Sequence, residues 1–229
     1  MHNFDTLLFD IDNTILDFDA DEDQALQKLF SLTPIELTPA IKENYSKFNQ
    51  QLWQQLERGE ISRDELFAKR FNTFFMDQFN LDVHELNLTE KYISFLSEGH
   101  DPIEHAPQLI ADLVQQNIRL EVATNGVAQT QIKRLTDSNL ITKFDQLFIS
   151  EQIGASKPQV AFFDYVENHL DNYSKAHTLM IGDSLTSDIQ GGINAGIKTV
   201  WFNPHHLTNS TNFSPTYEID DLLQIEEII

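Results

Sequence analysis

Hydrophobic positions fall into two regimes along this chain. Near the start, Thr6-Leu7-Leu8-Phe9-Asp10-Ile11 is a short apolar run without polar alternation. That is the pattern of a strand buried on both faces of a parallel sheet. From about Ala20 to Ser97 the chain reads mostly as helix. Thr38-Pro39 is a start signal, with threonine as N-cap and proline at the first helical position. Ile41, Tyr45, Phe48, Leu52 and Trp53 follow at helical spacing, and Gly59 closes the segment. Ser62-Arg63-Asp64-Glu65 fits a capping box and opens a helix through Phe67, Phe71, Phe74 and Phe75. A further helix covers Thr89 to Ser97, with Gly99 as its stop. Aromatics at this spacing, Trp53, Phe71, Phe74, Phe75 and Phe79 among them, are expected to form a core.

Beyond Gly99 the pattern alternates. Strands are expected at Ile118–Thr124, Gln146–Ile149, Thr178–Ile181 and Lys198–Phe202. Helices are expected near Pro107–Asn117, Val127–Ser138, Pro158–Leu170, Ser187–Ala195 and Asp220–Ile229. This alternation predicts an α/β fold with a doubly wound, mostly parallel, Rossmann-like sheet. Residues 1–16 and 100–229 form that core, and 17–99 form a helical insertion after the first strand. No internal repeat is visible.

Ligands of such sheets bind beyond the carboxyl ends of the strands, and four of these ends carry unusual polar groups. The first is Asp10-Ile11-Asp12-Asn13-Thr14, where strand alternation lets Asp10 and Asp12 point the same way. Two close carboxylates repel unless a cation or proton lies between them, although the segment also reads as an Asx-rich turn. The second is Ala123-Thr124-Asn125-Gly126, a hydroxyl and backbone N–H groups before a helix, which suits an anion but is also a turn signal. In the third, Ser156-Lys157-Pro158, a lysine precedes a helix start. An anion between the two would relieve their conflict, and a solvated surface lysine is the plainer reading. The fourth, Gly182-Asp183-Ser184-Leu185-Thr186-Ser187-Asp188, adds two carboxylates. Asp188 suits a helix start, whereas Asp183 directly follows a buried strand.

Composition narrows the chemistry. With 41% hydrophobic residues in 229, the chain can bury a real core. The absence of cysteine excludes disulfides, thiolate metal sites and a cysteine nucleophile. Fifteen Lys and Arg against 36 Asp and Glu, a net charge of −21, argue against a nucleic-acid polymer and against anionic membranes. A small phosphate ester stays compatible, because a metal ion or a lysine reverses the field inside one cleft. The start, Met1-His2-Asn3-Phe4-Asp5, lacks a basic and an apolar signal region. No stretch approaches 18 consecutive apolar residues, so a cytoplasmic, soluble protein is expected.

Taken together and in this order, Asp-x-Asp-x-Thr, Thr-Asn, Lys-Pro and Gly-Asp-Ser-x-x-x-Asp resemble the haloacid dehalogenase (HAD) superfamily over essentially the whole chain. The resemblance implies a HAD core sheet with an α-helical C1-type cap inserted after the first strand. It implies Asp10 as nucleophile, Asp12 as general acid/base, and Lys157 as the cation steadying nucleophile and phosphate. Thr124, Asn125 and Gly126 would bind phosphate, together with Lys157. Mg²⁺ would be held by Asp10, the backbone carbonyl of Asp12 and Asp183, with Asp188 completing or supporting that shell, and Mn²⁺ suits the same oxygen ligands. The family's dehalogenases lack the counterpart of Asp12, so its presence favours phosphoryl transfer.

Phe9-Asp10-Ile11-Asp12-Asn13-Thr14-Ile15-Leu16-Asp17, Thr124-Asn125-Gly126, Ser150-Glu151-Gln152-Ile153-Gly154 and Trp201-Phe202-Asn203-Pro204 further resemble the YjjG-type pyrimidine 5′-nucleotidases. They imply a small phosphorylated metabolite, a nucleoside monophosphate, as substrate of a monomer or homodimer. A sugar-phosphate phosphatase, a β-phosphoglucomutase-like mutase and a non-catalytic binding protein of this fold are the alternatives. Trp201 reads as packing.

Overall fold

The structure is a computed structural model that describes residues 3–229; Met1 and His2, part of the start read above, lie outside the described residues. The chain divides into two compact units, one comprising residues up to 18 with 100–229, the other 19–99.

The first unit is built on a six-stranded sheet in the order β3-β2-β1-β4-β5-β6, and its five strand pairings among the described residues are all parallel. The strands are β1 (Thr6–Phe9), β2 (Arg119–Thr124), β3 (Gln146–Ile149), β4 (Thr178–Gly182), β5 (Lys198–Phe202) and β6 (Tyr217–Ile219). β1 is buried along its whole length, as its unbroken apolar run requires. Its side chains alternate between two cores. Leu7 and Phe9 join Leu120, Val122, Leu179 and Ile181 on one face. Leu8 joins Ala123 and Met180 on the other.

Helices cover both faces. The second unit, described below, takes up helices α1 to α4 in chain order. Counting on from there, α5 (Ala106–Gln115), α6 (Ala128–Asp137) and α10 (Ile225–Ile228) pack residues such as Leu109, Leu135 and Ile225 on the first face. On the second face α8 (Val160–His169) and α9 (Gln190–Ala195) supply Phe162, Phe163, Val166 and Ala195. A one-turn helix, α7 (Ser150–Ile153), follows β3 directly.

The helical unit holds α1 (Phe18–Phe30, which starts at the boundary), α2 (Pro39–Glu57), α3 (Arg63–Phe79) and α4 (Leu88–Leu96). Thr38 caps α2 by accepting from the Ile41 N–H, and Ser62 and Glu65 form the reciprocal capping box of α3. The aromatics pack on one another. Tyr45 stacks on Phe71 with centroids 5.1 Å apart and meets Phe74 edge-on at 5.3 Å. Phe71, Phe74 and Phe75 are buried, while Trp53 and Phe79 are half-buried. Among them lies Glu22, which accepts from Tyr92 Oη (2.8 Å), Asn49 Nδ2 and Ser46 Oγ.

Several boundaries differ from the sequence pattern. β6 is an added strand, only three residues long and therefore without a legible period. α8 begins at Val160, not at Pro158. The expected Ser187–Ala195 helix is a π-helical turn, Leu185–Ile189, followed by α9. Ser97, in the right-handed region, closes α4, and Gly99 is not among the left-handed glycines.

One buried charge in β2 has a measurable consequence. Glu121 accepts the Gln146 N–H at 2.6 Å through one oxygen, while its other oxygen is buried without a hydrogen-bond partner. Burial pushes its carboxyl from the ordinary 4.5 up to about 7. A raised folded-state pKa means that the stability it contributes is present below about 4.5 and is lost as pH rises through about 7. Glu121→Gln is therefore expected to leave stability at pH 4.5 nearly unchanged and to raise it at pH 8 by roughly 1–2 kcal/mol. Urea unfolding at the two pH values measures this, and an equal effect at both would refute the shift.

Candidate active site

The four polar segments converge at the carboxyl edge of the sheet, around the point where strand order reverses beside β1; the third, Ser156-Lys157-Pro158, does not end a strand but follows β3 and α7. Asp10 is the first residue after β1, and its N–H donates to the Ile181 carbonyl at 2.9 Å. The chain then folds tightly. The Ile11 carbonyl accepts from the N–H groups of Thr14, Ile15 and Leu16, and Asn13 takes a left-handed φ of 54°. The segment is thus a turn and a site at once. Thr14, fully buried, accepts the Asp183 N–H at its hydroxyl (3.1 Å), which ties the first strand end to the fourth.

Lys157 lies at the centre. It is 1% exposed, and its ammonium donates to Asp10 Oδ1 (2.6 Å), Asp188 Oδ1 (2.6 Å) and the Ala123 carbonyl (2.5 Å). It is not a solvated surface lysine: its partners are two carboxylates and a backbone carbonyl. The side chain of Asn125 holds the lysine's backbone from both sides, accepting its N–H at 3.0 Å and donating to its carbonyl at 2.9 Å.

Asp188 is fully buried within the π-helical turn and accepts the Ser184 N–H at 3.0 Å as well as the lysine. Gly182 makes room for it, because a Cβ there would lie 2.1 Å from Asp188 Oδ2. Trp201 packs as expected, but it also donates its indole N–H to the Asp183 carbonyl (2.8 Å). Asp10, Asp183 and Asp188 each offer a carboxylate oxygen within 4.8 Å of the others.

Asp12 stands apart from that trio. Gln131 Nε2 donates to its Oδ2 at 2.7 Å, and Arg134 pairs with its Oδ1. Gln131 Nε2 also reaches Thr124 Oγ1 (3.2 Å), which accepts the Gly126 N–H (3.0 Å) too. A hydroxyl oxygen accepts two bonds, so buried Thr124 retains its single O–H as a donor. Glu151, on α7, accepts the Ala128 N–H (2.7 Å) and caps the start of α6, for which Val127 has no side-chain cap. Gln131 and Arg134 escape the sequence reading. Their only signal is that polar residues occupy the inward positions of α6.

Charge is uncompensated at this edge. Burial, then repulsion from Asp188 and Asp12, raises the Asp10 carboxyl to about 7 even against the attraction of Lys157. Burial and the neighbouring Asp188 and Asp10 hold Asp183 well above the usual range. Burial opposes the charge of Lys157, but Asp10 and Asp188 together keep its pKa above the ordinary value. One ammonium cannot balance three carboxylates, two of them buried, so their full ionisation gives a net negative, all-oxygen donor set. A hard divalent cation of the magnesium or manganese kind fits it.

A family model for haloacid dehalogenase-like hydrolases matches residues 7–202. The chain belongs to this family. Among its relatives, HAD-hydrolase YfnB of Bacillus subtilis is 44% identical over 229 residues, covering all of this chain and 97% of that one. The crystal structure of YfnB bound to magnesium, described as revealing interdomain movement, superposes with a TM-score of 0.91 over 99% of this chain and 98% of that one. Pyrimidine 5′-nucleotidase PynA of Streptococcus pneumoniae is 43% identical, covering 93% of this chain and 90% of that protein. Pyrimidine 5′-nucleotidase YjjG of Escherichia coli is 32% identical, covering 99% and 98%. The expected fold class and the HAD resemblance are both borne out. As a haloacid dehalogenase-like hydrolase the chain is an enzyme. Among the described residues no helix is long and apolar enough to cross a membrane.

Removing the central cation should be costly. Lys157→Met strands buried carboxylates and is expected to destabilise the protein by about 3–5 kcal/mol at pH 7. Lys133→Met, which breaks the exposed pair with Asp137, should fall within the error of the same unfolding measurement. Similar losses for both variants would contradict the buried network.

Proposed function

We propose that this hydrolase cleaves phosphomonoesters in two steps through an aspartyl-phosphate on Asp10, with nucleoside 5′-monophosphates as its substrates. The observation that carries the reading is the pairing of roles at one sheet edge. A buried carboxylate is anchored by a lysine, and a second, more exposed carboxylate belongs to the same turn. In the first step an Asp10 oxygen bonds to phosphorus. The bond to the leaving oxygen breaks, and Asp12 supplies that oxygen with a proton. In the second, Asp12 takes a proton from the water that attacks phosphorus, and the Asp10–phosphorus bond breaks. Lys157 offsets the charge that would otherwise keep a carboxylate from a phosphate dianion. The Thr124 hydroxyl and the backbone of Asn125 are assigned to the phosphate oxygens, whereas the Gly126 N–H, expected there too, is already donated to Thr124 Oγ1.

Asp10, Asp183 and the backbone carbonyl of Asp12 would hold Mg²⁺, with Asp188 supporting them. When bound, the ion neutralises phosphate charge and orients the ester. The magnesium-bound relative supports this choice, and Mn²⁺ is the substitute its ligand chemistry allows. The two relatives named pyrimidine 5′-nucleotidases support the substrate class. We place the protein in the cytoplasm and regard the helical unit of residues 19–99 as the family's cap.

Phosphate release from UMP, dUMP, dTMP, CMP, AMP, GMP, sugar phosphates and p-nitrophenyl phosphate, with Mg²⁺ and with EDTA, tests the reading. Turnover is expected to be abolished by EDTA and concentrated on the pyrimidine nucleotides. Turnover confined to sugar phosphates would discard the nucleotide assignment. Asp10→Asn should abolish activity on every ester. Asp12→Asn should slow the first turnover, in which the leaving group departs, by about 10²-fold or more on nucleotides and far less on p-nitrophenyl phosphate, since a good leaving group needs no acid; steady-state turnover should fall on both, because they share the base-assisted second step. Equal first-turnover losses on both would remove the acid role.

A further inference from the structure

We propose that Arg134 and Gln131 are positioning residues for Asp12, and that expulsion of a poor leaving group depends on the clamp they form. The inference rests on the phosphomonoesterase reading above and adds two residues outside the motifs that carry the family resemblance.

The clamp is built from α6, one turn apart. Arg134 is fully buried and Gln131 is 1% exposed. Arg134 Nη1 pairs with Asp12 Oδ1 and also donates to Gln131 Oε1 at 2.9 Å. The Gln131 amide is thereby oriented with its nitrogen toward Asp12 Oδ2 (2.7 Å) and Thr124 Oγ1 (3.2 Å). The amide lies against Gly126, where a Cβ would come within 2.2 Å of Gln131 Nε2. The glycine of Thr124-Asn125-Gly126 is thus the space the clamp occupies.

A buried arginine is costly unless its partner is well placed. Here it is spent on a carboxylate whose side chain is 29% exposed. An arrangement serving stability alone would have no need of a partner facing solvent. It suits a carboxyl that must meet a ligand in one orientation. The two donors differ in kind. The guanidinium takes Oδ1 and the amide takes Oδ2, so the two together fix the plane of the carboxyl. In the forward step that proton passes from Asp12 to the leaving oxygen as its bond to phosphorus breaks and the Asp10–phosphorus bond forms. In the return step a proton of the attacking water goes back to Asp12. Without the clamp Asp12 remains present but samples other rotamers, and a small misplacement is enough to lose proton transfer.

Arg134→Lys keeps the charge and loses the planar fork, which is not a conservative change at such a site. Gln131→Met keeps the volume and loses both donated bonds. Each is compared with wild type and Asp12→Asn on UMP and on p-nitrophenyl phosphate, with folding checked by thermal unfolding. Both variants are expected to lose about 10–100-fold in the single-turnover rate of leaving-group release on UMP and less than about 3-fold on p-nitrophenyl phosphate, in the pattern of Asp12→Asn. Gln131→Met, which removes the amide, should in addition raise KM on both esters through Thr124, and by more than Arg134→Lys, which only loosens it.

Equal losses on the two esters, with Asp12→Asn still selective, would overturn the clamp and leave the phosphatase reading standing. A non-selective Asp12→Asn, or a wild type inactive on every phosphomonoester, would instead overturn the reading on which the clamp rests. Should Arg134→Lys fail to fold, the selectivity of Gln131→Met alone decides.

Discussion

The site depends on one buried ammonium. Lys157 leaves the chain after α7 and reaches Asp10 beyond β1, Asp188 beyond β4 and the Ala123 carbonyl on β2. These strands are neighbours in the sheet, so a single cation binds together loops that are far apart in sequence. Burying it is tolerable only because its donors find close, anionic or carbonyl partners. The same contacts cannot neutralise all the carboxylates brought to that edge. The surplus of negative charge is what makes the place suited to a divalent ion.

Around this centre, groups that need not touch a ligand hold those that would. Asn125 grips the backbone of Lys157, Thr14 accepts the Asp183 N–H, and Trp201 donates to the Asp183 carbonyl. The Ser184 N–H and the lysine fix both ends of the Asp188 carboxylate. Preorganised groups of this kind spare an enzyme the cost of reorienting dipoles when charge moves. In a parallel sheet they arise readily, because successive strand ends emerge side by side on one edge.

The helical unit follows a different logic. Its aromatics are committed to one another through stacked and edge-on contacts, so ring count alone says nothing of ligand recognition. Its buried Glu22 accepts from a tyrosine, an asparagine and a serine. Burial raises the pKa of this carboxyl, and the tyrosine, Arg70 and the serine work against the rise. Glu22 is a polar specification inside an apolar bundle.

Much of the molecule is determined by local sequence. The unbroken apolar run of β1, the Thr38 and Ser62 caps, and the alternation of strand and helix after Gly99 are short-range physics, and the structure follows them. Asp10, Asp12 and Asp183 were legible because they stand at or just beyond strand ends, where a charge has no packing reason to be, whereas Lys157, beyond α7, was legible only through the Lys-Pro motif of the family. Tertiary structure decided the rest. β6 exists only because β5 offers it an edge. Lys157 is an interior ion, not a surface one, because three loops meet over it. Gln131 and Arg134 look in sequence like any polar residues of an amphipathic helix. Only the packing of α6 against the turn after β1 gives them Asp12 as a partner, across 119 and 122 residues of chain. Local propensity carries no information about contacts at that separation.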